Sequence, residues 1–430
     1  MNIKSMRLID ELAGVPICAG LSFLARARRA EGSCRHFHQL QAPKILIIHL
    51  SEMGAFVLAQ PALQELKRRI PQAELYFLVF SPIDELIREL NLAPSERIFT
   101  IRKNNFAALT ASTLKTLYKL RRIGMDAVIN EEGFSRFAAI LSYLSCPNGL
   151  RVGQYPYGIR SLYKGCLETH RVQYNDHIHA SRSYLNLVKA LWSDPHDTPM
   201  LKENMSSLKY VDVTPVNGVC PSTWANYLPL PYEFHYQPNP EALAKIDNSL
   251  LKRGVGPEQE LIIVNPNSSD MLPHRRWPLE NYETVCRELL KNHPQAAFVV
   301  TGTAQESAGA HYLRTHLEGT VLDFTGDTNF SELLALYTRC RLMITNDSGP
   351  AHFASIVGLP TVVLFGPETP LLFSPLGDKC CELYANVACS PCVSPYNNKD
   401  TACRHQNCCM TCLTPQHVLR AVEKVWQNNR

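Results

Sequence analysis

Short apolar runs alternate with helical patterns along most of this 430-residue chain, and they do so in two separate series. The first series ends near residue 130, and the second begins near residue 261. Strands that alternate with helices form βαβ units, whose strands pair in parallel. The runs expected to form strands are Lys44–Leu50, Glu74–Phe80, Arg97–Ile101 and Asp126–Asn130, then Leu261–Asn265, Ala297–Gly302, Leu342–Asn346 and Thr361–Gly366. The sequence therefore predicts an α/β protein with two parallel sheets.

A stretch rich in Pro, Asn and Ser separates the two series, and its weak periodicity indicates a linker. We expect two Rossmann-like domains that face a central cleft, with ligands beyond the carboxyl ends of the strands. The predicted divisions are a helical segment at 1–43, a first domain at 44–200, a linker at 201–240, a second domain at 241–414 and a C-terminal helix at 415–430. A net charge of +4 fits anionic small molecules but is too weak to indicate nucleic acid.

The N-terminal segment contains an apolar stretch, Val15–Ala25, which ends at Arg26 and is followed by Arg28 and Arg29. It is about half as long as the ~20 residues that a membrane-spanning helix needs. A secretory signal would place its positive charges first. Two interpretations stay open: a helix packed on the protein's own surface, or an interfacial helix in which residues 15–29 touch anionic lipid. Both keep the chain in the cytoplasm.

The C-terminal region is rich in cysteine, with eight of the fifteen cysteines between Cys380 and Cys412. In the absence of an export signal we do not expect a disulfide framework. Two C-x-x-C pairs, Cys389 with Cys392 and Cys409 with Cys412, have the spacing of zinc ligands. The alternative is a structural loop whose thiols stay reduced.

The segment Leu342–Pro367 carries the strongest ligand-binding pattern. Its strand ends at the polar sequence Asn346-Asp347-Ser348-Gly349, and Pro350 can occupy the first helical position without losing a hydrogen bond. The helix that follows begins with free amides and the positive end of its dipole, which favours a phosphate. The Ser348 hydroxyl and His352, one turn into the helix, can reach the same anion. The alternative is that Asp347 or Ser348 only caps the helix.

Two further loops follow predicted strands of the second series. Asn265, Ser268 and Ser269 end the first of these strands, and Arg275 and Arg276 follow with charge suited to phosphate oxygens. The arginines could instead be solvated surface charges. The next strand ends at Thr301 and Gly302, with Glu306 at the start of the following helix. In a two-domain nucleotide binder this position is typical of contacts to ribose or base.

The order of these motifs resembles glycosyltransferase family 9, the ADP-heptose:lipopolysaccharide heptosyltransferases and their relatives. The matching segments read "KILIIHLSEMG…P", "NP…RRWP", "TG…E" and "NDSGPAH…A…G.P…LFGP", and they extend over about residues 44–424. The resemblance implies a GT-B fold with an acceptor-side domain at 44–200 and a nucleotide-sugar domain at 241–414. It also implies inverting transfer, without a metal or cofactor, from a nucleotide-diphosphate sugar such as ADP-heptose.

The resemblance assigns expected partners and contacts. The acceptor is lipopolysaccharide or another cell-envelope glycan, so the protein is expected in the cytoplasm, peripheral on the inner face of the membrane. The implied donor-binding residues are Asn265, Ser268, Ser269, Arg275, Thr301, Gly302, Glu306, Asp347, Ser348, Gly349 and His352. Within this set, the residues from Asp347 to His352 match the segment that binds the diphosphate, and Glu306 matches an acid near the ribose.

One position departs from the family pattern. Members generally have Gly-Asp in the first turn, where the aspartate is the expected general base, whereas this chain has Gly54-Ala55. An inverting transfer needs a base because the acceptor hydroxyl loses its proton as it attacks. Glu52 in the same turn, or Glu132 after the fourth strand, could replace the missing acid. Otherwise the chain is a non-catalytic nucleotide-sugar-binding protein, or an epimerase on the same fold.

Overall fold

The computed structural model describes residues 3–27, 37, 39–155, 163–193, 229–256, 259–269, 272–397 and 401–428. The chain divides into two compact units, Met1–Leu208 and Lys209–Arg430. Most of the predicted linker, residues 201–228, lies outside the described residues. Residues 229–239 are described and form neither helix nor strand.

A parallel sheet of six strands forms the centre of the first unit. Its strands are β1 Lys44–His49, β2 Glu74–Phe80, β3 Ile98–Ile101, β4 Ala127–Asn130, β5 Leu150–Tyr155 and β6 His170–Gln173. They are arranged in the order β3-β2-β1-β4-β5-β6, so the direction of winding reverses between β1 and β4. In sheets of this kind, ligands bind outside the carboxyl ends of the strands at such a reversal.

Helices accompany this sheet and cover it. They are α1 Ile3–Leu12, α2 Gly14–Ala27, α3 Met53–Leu58, α4 Gln60–Arg69, α5 Ile83–Glu89, α6 Phe106–Ile123, α7 Arg136–Ser145 and α8 Ala180–Ala190, with a 3-10 turn at Ser95–Arg97. Ile45, Leu46, Ile47 and Ile48 are all fully buried. Successive side chains of a strand point to opposite faces, so both faces of β1 are covered, as its unbroken apolar run predicts.

The second unit repeats this topology. Its strands are β7 Glu260–Asn265, β8 Ala296–Val300, β9 Val321–Asp323, β10 Leu342–Asn346, β11 Thr361–Phe365 and β12 Cys380–Tyr384. All neighbours pair in parallel, in the order β12-β11-β10-β7-β8-β9, and the reversal falls between β7 and β10. The prediction of two parallel sheets in an α/β protein is confirmed.

The helices of the second unit pack against a large hydrophobic core and a smaller one. They are α9 Pro240–Lys252, α10 Leu279–Asn292, α11 Ser307–His316, α12 Phe330–Thr338, α13 Gly349–Ile356, α14 Pro370–Phe373, α15 Cys408–Thr411 and α16 Pro415–Asn428, with 3-10 turns at Pro273–Arg275, Ala304–Glu306 and Pro395–Asn397. Trp277 lies in this core together with Val418, Val422 and Trp426 of α16. The C-terminal helix therefore packs on the second unit.

Candidate functional site

Asn346, the last residue of β10, joins the loops at the carboxyl edge of the second sheet. It is fully buried. Its Nδ2 donates to the carbonyl oxygen of Pro266 at 2.8 Å, and its Oδ1 accepts from the Trp277 amide at 3.1 Å and from the Tyr282 hydroxyl at 3.0 Å. Because these partners follow β7 and begin α10, Asn346 fixes both segments beside the reversal between β7 and β10.

Helix α13 begins directly after this residue, with Pro350 in its first turn. Ser348 occupies the N-cap position, but its hydroxyl donates to the Asn346 carbonyl oxygen at 3.2 Å and does not cap the helix. The first-turn amides are therefore not taken by that side chain, which suits an anion site. Asp347 and His352 are buried at this helix start, and Gly349 is its first residue. The predicted residues from Asp347 to His352 thus gather at one helix terminus.

Arg275 lies beside this terminus, and its guanidinium faces two carboxylates. It is only 9% exposed. Its Nε is 3.4 Å from Asp347 Oδ2, and its Nη2 donates to Glu368 Oε1 at 3.0 Å. Glu368, which follows β11, is fully buried and was not predicted from the sequence. An acid directly after the apolar strand "TVVLFGP" is the sequence feature that could have identified it.

Arg276 is directed elsewhere. Its Nη2 donates to the carbonyl oxygen of Ser268 at 2.7 Å, which holds the loop after β7 against the 3-10 turn. Ser268 is buried and Ser269 is exposed. Neither arginine is therefore a free surface charge, and only Arg275 reaches the start of α13.

The loop after β8 contacts the loop after β7. Asn267 Nδ2 donates to the Thr301 carbonyl oxygen at 3.3 Å. A side chain at Gly302 would place its Cβ 2.9 Å from that same Nδ2, so the close approach requires glycine. Glu306 Oε2 accepts from the amide of Thr303 at 2.8 Å and from its hydroxyl at 2.9 Å. Glu306 is half-buried, at the same edge of the sheet as Asn265.

The corresponding edge of the first sheet holds a buried pair that sequence reasoning missed. His49 ends β1, Glu131 follows β4, and His49 Nδ1 lies 2.7 Å from Glu131 Oε2, with both side chains inaccessible to solvent. His49 Nε2 lies 3.4 Å from the carbonyl oxygen of Glu52. Burial opposes the charge of His49, but the hydrogen bond to Glu131 and the charges of Glu131 and Glu132 together outweigh it, and the pKa of His49 is raised. Burial also raises the pKa of Glu131. Both shifts favour the protonated form of the group concerned.

Glu132 is held at the turn where the family pattern has its aspartate. Its Oε1 accepts from the Leu50 amide at 2.6 Å and from the Ser51 hydroxyl. Its own amide donates to Asn130 Oδ1 at 3.1 Å. Ala55 lies in the first turn of α3. Glu132 is therefore half-buried, and its side chain reaches from the end of β4 to the turn after β1. A replacement base would need such a placement.

Glu52 is placed differently. It is exposed at the N-cap position of α3, and its side chain does not cap the helix. Gly54 is buried in the same first turn. The two sequence-predicted bases therefore differ in how firmly the protein positions them, and Glu132 is the more constrained.

The cysteine-rich tail contains the candidate zinc ligands. Among the residues that the structure describes, no group of three or more His, Cys, Asp or Glu side chains could hold a metal ion. Cys409 packs into the core of the second unit, and burial raises its pKa to about 12, whereas Cys389 and Cys412 are exposed. Cys389 contributes to the raised pKa values of Cys408 and Cys409, and Cys392 to that of Cys409, so these cysteines lie near one another. Zinc binding by Cys389, Cys392, Cys409 and Cys412 stays a prediction.

A protein family matches most of the second unit. Residues 230–402 match Glycosyltransferase family 9 (heptosyltransferase). These residues form a glycosyltransferase family 9 domain. The family resemblance of the sequence motifs is confirmed, and the motifs from Asn265 to Pro367 lie inside the matched range.

Relatives support the same family over more of the chain. A lipooligosaccharide heptosyltransferase 2 of Campylobacter jejuni is 25% identical over 248 residues, which cover 57% of this chain and 72% of that protein. The lipooligosaccharide heptosyltransferase 2 of Haemophilus influenzae is 32% identical over 111 residues, 25% of this chain. The match spans about a third of that relative, 32% of its length.

The fold is also similar to that of a solved structure over most of the chain. The structure of Escherichia coli ADP-heptose lipopolysaccharide heptosyltransferase II covers 90% of this chain and 99% of its own, with a TM-score of 0.64 and 18% identity. This similarity confirms the predicted GT-B fold. None of the described helices is long and apolar enough to cross a membrane.

Proposed function

We propose that this chain is a glycosyltransferase that moves a sugar, such as a heptose, from a nucleotide diphosphate to lipopolysaccharide or another cell-envelope glycan. The observation that carries this proposal is the start of α13 beside Arg275, at the reversal point of a family 9 domain. Helix amides, a buried histidine and an arginine converge there, as a diphosphate requires. The names of the relatives favour ADP-heptose as the donor.

On the donor side, we assign the second domain, residues 241–414, to the nucleotide sugar. The α13 amides, His352 and Arg275 stabilise the diphosphate as it leaves, which removes the need for a metal or cofactor. Asn265, Ser268 and Ser269 line the neighbouring loop, and Thr301, Gly302 and Glu306 form the side nearest the ribose. Asp347 and Glu368 hold Arg275 in place, so the guanidinium is oriented before the donor arrives.

On the acceptor side, we assign the first domain, residues 44–200, to the glycan, with Glu132 as the base. The acceptor oxygen attacks C1 of the donor sugar, the bond from C1 to the diphosphate oxygen breaks on the opposite face, and Glu132 takes the hydroxyl proton. The configuration at C1 is therefore inverted. We prefer Glu132 to Glu52 because two hydrogen bonds fix its carboxylate, whereas Glu52 is exposed.

The buried pair beneath the turn supports this assignment. Glu131 and Glu132 are adjacent, and two ionised carboxylates so close would each disfavour the charge of the other. The raised pKa of His49 favours its positive form, which offsets the charge of Glu131. Glu132 is the carboxylate whose oxygen reaches the turn, and we assign it as the base. We therefore assign His49 and Glu131 as positioning residues.

The acceptor class also suggests a location. A lipid-linked glycan precursor is met at the cytoplasmic face of the inner membrane, and we place this protein there, as a peripheral protein in contact through residues 15–29. The nucleotide-sugar donor is a soluble molecule, so the cytoplasm supplies it.

A transfer assay with ADP-heptose and a glycolipid acceptor tests the proposal. We expect turnover by the natural chain, a loss of about 100-fold or more in kcat for Glu132→Gln because general bases contribute 10²–10⁴-fold, and little change for Glu52→Gln. Ala55→Asp restores the family carboxylate at a half-exposed helical position, so it should recover activity in the Glu132→Gln background. Full activity of Glu132→Gln would refute Glu132 as the base.

Ala55 favours a second candidate function, a non-catalytic protein that binds nucleotide sugar. A methyl group cannot accept a proton, whereas the residues that we assign to the donor are present in the sequence. This candidate predicts micromolar donor binding by calorimetry, about −8 kcal/mol, with no turnover by the natural chain or by Ala55→Asp. Absence of binding to either ADP- or UDP-sugars would refute both candidates.

A further inference from the structure

Helix α2 is amphipathic in an unusual sense, because its buried side chains are small and most of its large apolar ones are exposed. Leu21 is the exception, since it is partly buried against the first unit. Cys18, Ser22 and Ala25 are buried against the first unit. On the other side of the helix Phe23 is 75% exposed, and Ile17 and Leu24 are exposed as well. Soluble helices place their larger apolar residues toward the core, so this outward side requires another explanation.

The exposed side extends onto α1. We use the term outward face for the exposed apolar residues of the two helices, which are Leu8, Leu12, Val15, Ile17, Phe23 and Leu24. Leu12 is 69% exposed. From Gly14 to Ala25 the sequence contains no charged residue, so nothing along this part of α2 supplies the charge that normally solvates an exposed helix. An apolar patch of this kind marks a binding surface.

The inward side is fixed to the first unit by specific contacts. Ser22 Oγ accepts from the Cys166 amide at 2.9 Å, and Asp10 accepts from the Phe137 amide at 2.7 Å and from Arg136. The arginine in turn donates to the Tyr163 carbonyl oxygen at 3.0 Å. The helices therefore form part of the folded unit, and their outward face is presented by a rigid support.

The same contacts lead to the candidate acceptor edge. Lys164, two residues before Cys166, is buried and donates to the carbonyl oxygen of Gly133 at 2.9 Å. Gly133 directly follows Glu132. The segment that α2 holds in place thus also holds the loop of the candidate base, within one unit of the protein.

We propose that the outward face docks on a lipid bilayer rich in anionic headgroups, with α2 lying in the plane of the membrane. The helix has 14 residues and is about 21 Å long at 1.5 Å per residue, too short for a hydrocarbon core of roughly 30 Å. Arg26 lies in its last turn, and Arg28 and Arg29 follow the helix in the sequence. Basic residues beside an apolar helix face match a membrane surface of negative charge better than a protein partner.

Acidic residues do not oppose this docking along α2. Asp10 is engaged with Phe137 and Arg136, and Glu11 lies at the exposed end of α1, outside the uncharged stretch. The link to a lipid-linked acceptor rests on the proposed function, whereas the binding of lipid by the outward face does not. Docking would bring the Glu132 loop to the interface where such an acceptor presents its sugar.

Co-sedimentation of the full chain with vesicles tests the proposal. We expect binding to vesicles of phosphatidylethanolamine and phosphatidylglycerol (3:1), weaker binding to phosphatidylcholine alone, and at least a tenfold weaker apparent affinity for the triple variant Ile17→Gln/Phe23→Gln/Leu24→Gln. The control Phe106→Gln/Leu114→Gln alters similarly exposed apolar residues of α6 and should bind as the natural chain does. Thermal unfolding verifies that both variants are folded.

Several outcomes would overturn the proposal. The first is that the natural chain stays in the supernatant with the anionic vesicles. The others are that the triple variant binds the vesicles as strongly as the natural chain, or that the control variant loses as much binding as the triple variant. A concentration-dependent dimer in sedimentation, abolished by the triple variant, would assign the outward face to a second copy instead. Vesicle binding without sugar transfer would support the surface and count against the proposed function, whereas transfer to a soluble acceptor without vesicle binding would do the reverse.

Discussion

Glu132 reaches the turn that leads into the helix of Ala55, although the two residues lie 77 positions apart in the sequence. The turn amide of Leu50 and the hydroxyl of Ser51 draw the Glu132 carboxylate from the end of β4 to the end of β1. A base is defined by where its oxygen lies and by its proton affinity, not by its position in the chain. An alanine in the family position is therefore compatible with catalysis if the adjacent strand supplies the acid.

The buried pair of His49 and Glu131 makes stability depend on pH. Because the folded-state pKa of His49 is raised above its ordinary value of 6.5, its contribution is complete below pH 6.5 and is lost as pH rises through the raised pKa. As pH rises above 6.5 we expect the free energy of unfolding to fall by up to about 1.4 kcal/mol per pH unit for one proton. Urea unfolding followed at several pH values measures this slope.

The double variant His49→Gln/Glu131→Gln removes both titrating groups and should flatten the slope. Glu132 and Tyr184 also face the imidazole, and they remain in the variant. Burial raises the pKa of Tyr184 well above its ordinary value, which takes that group out of this pH range. His177→Gln, at an exposed histidine, is the control and should leave the slope unchanged. An unchanged slope in the double variant would mean that the pair does not carry the linkage.

At the scale of residues, the sequence predicted where polar side chains of the sites lie better than it predicted which residues they contact. The polar residues after β7, β8 and β10 were predictable because parallel strands all end at one edge. Glu368 and His49 were not, because each adjoins an apolar strand and its partner lies far away in the sequence. Their roles come from contacts with Arg275 and Glu131, distant in the chain.

At the scale of elements, the structure adds four strands that the apolar runs did not indicate: β5, β6, β9 and β12. Three of them, β6, β9 and β12, lie at sheet edges, where a strand has one neighbour and tolerates polar residues. β5 contains the buried Arg151, whose guanidinium donates to the carbonyl oxygens of Leu167 and Cys146. A buried arginine interrupts the apolar pattern, and only the fold reveals its acceptors.

Asn346 connects three elements of the second unit, and its removal tests that role. Asn346→Ala would leave the Trp277 amide and the Tyr282 hydroxyl without this acceptor in a buried site. Buried polar groups left unsatisfied cost about 1–3 kcal/mol each, so we expect a loss of roughly 2–4 kcal/mol in the free energy of unfolding. Asn292→Ala, at an exposed position on α10, is the matched control and should change it by less than about 0.5 kcal/mol.

Urea unfolding of the full chain provides the comparison. If Asn346→Ala were as stable as the control, the hydrogen bonds of Asn346 would not stabilise the fold, and the loops after β7 and β10 would have to be held by other contacts.

At the scale of the whole molecule, the same strand order occurs in both units, and each candidate site lies at the reversal of that order. In the first unit β1 and β4 bring His49 to Glu131, and in the second β7 and β10 bring Asn265 and the loop after it to Asn346. One topology therefore provides two sites with different chemistry. The first is acidic and suits a base, and the second contains an arginine and a helix terminus and suits a phosphate.

This separation predicts that nucleotide protects one unit and not the other. With ADP bound, we expect slower amide hydrogen exchange in residues 265–269, 301–306 and 346–352, because the ligand stabilises the folded state of the segments it contacts. Exchange in β1 and in the turn at residues 50–55 should be unchanged. Mass spectrometry of peptides from the full chain measures both regions in one experiment. Arg275→Ala should weaken the protection at a given ADP concentration, whereas Arg287→Ala, an exposed position on α10, should not. Protection confined to the first unit would place the nucleotide at the wrong sheet and would refute the assignment of donor and acceptor sides.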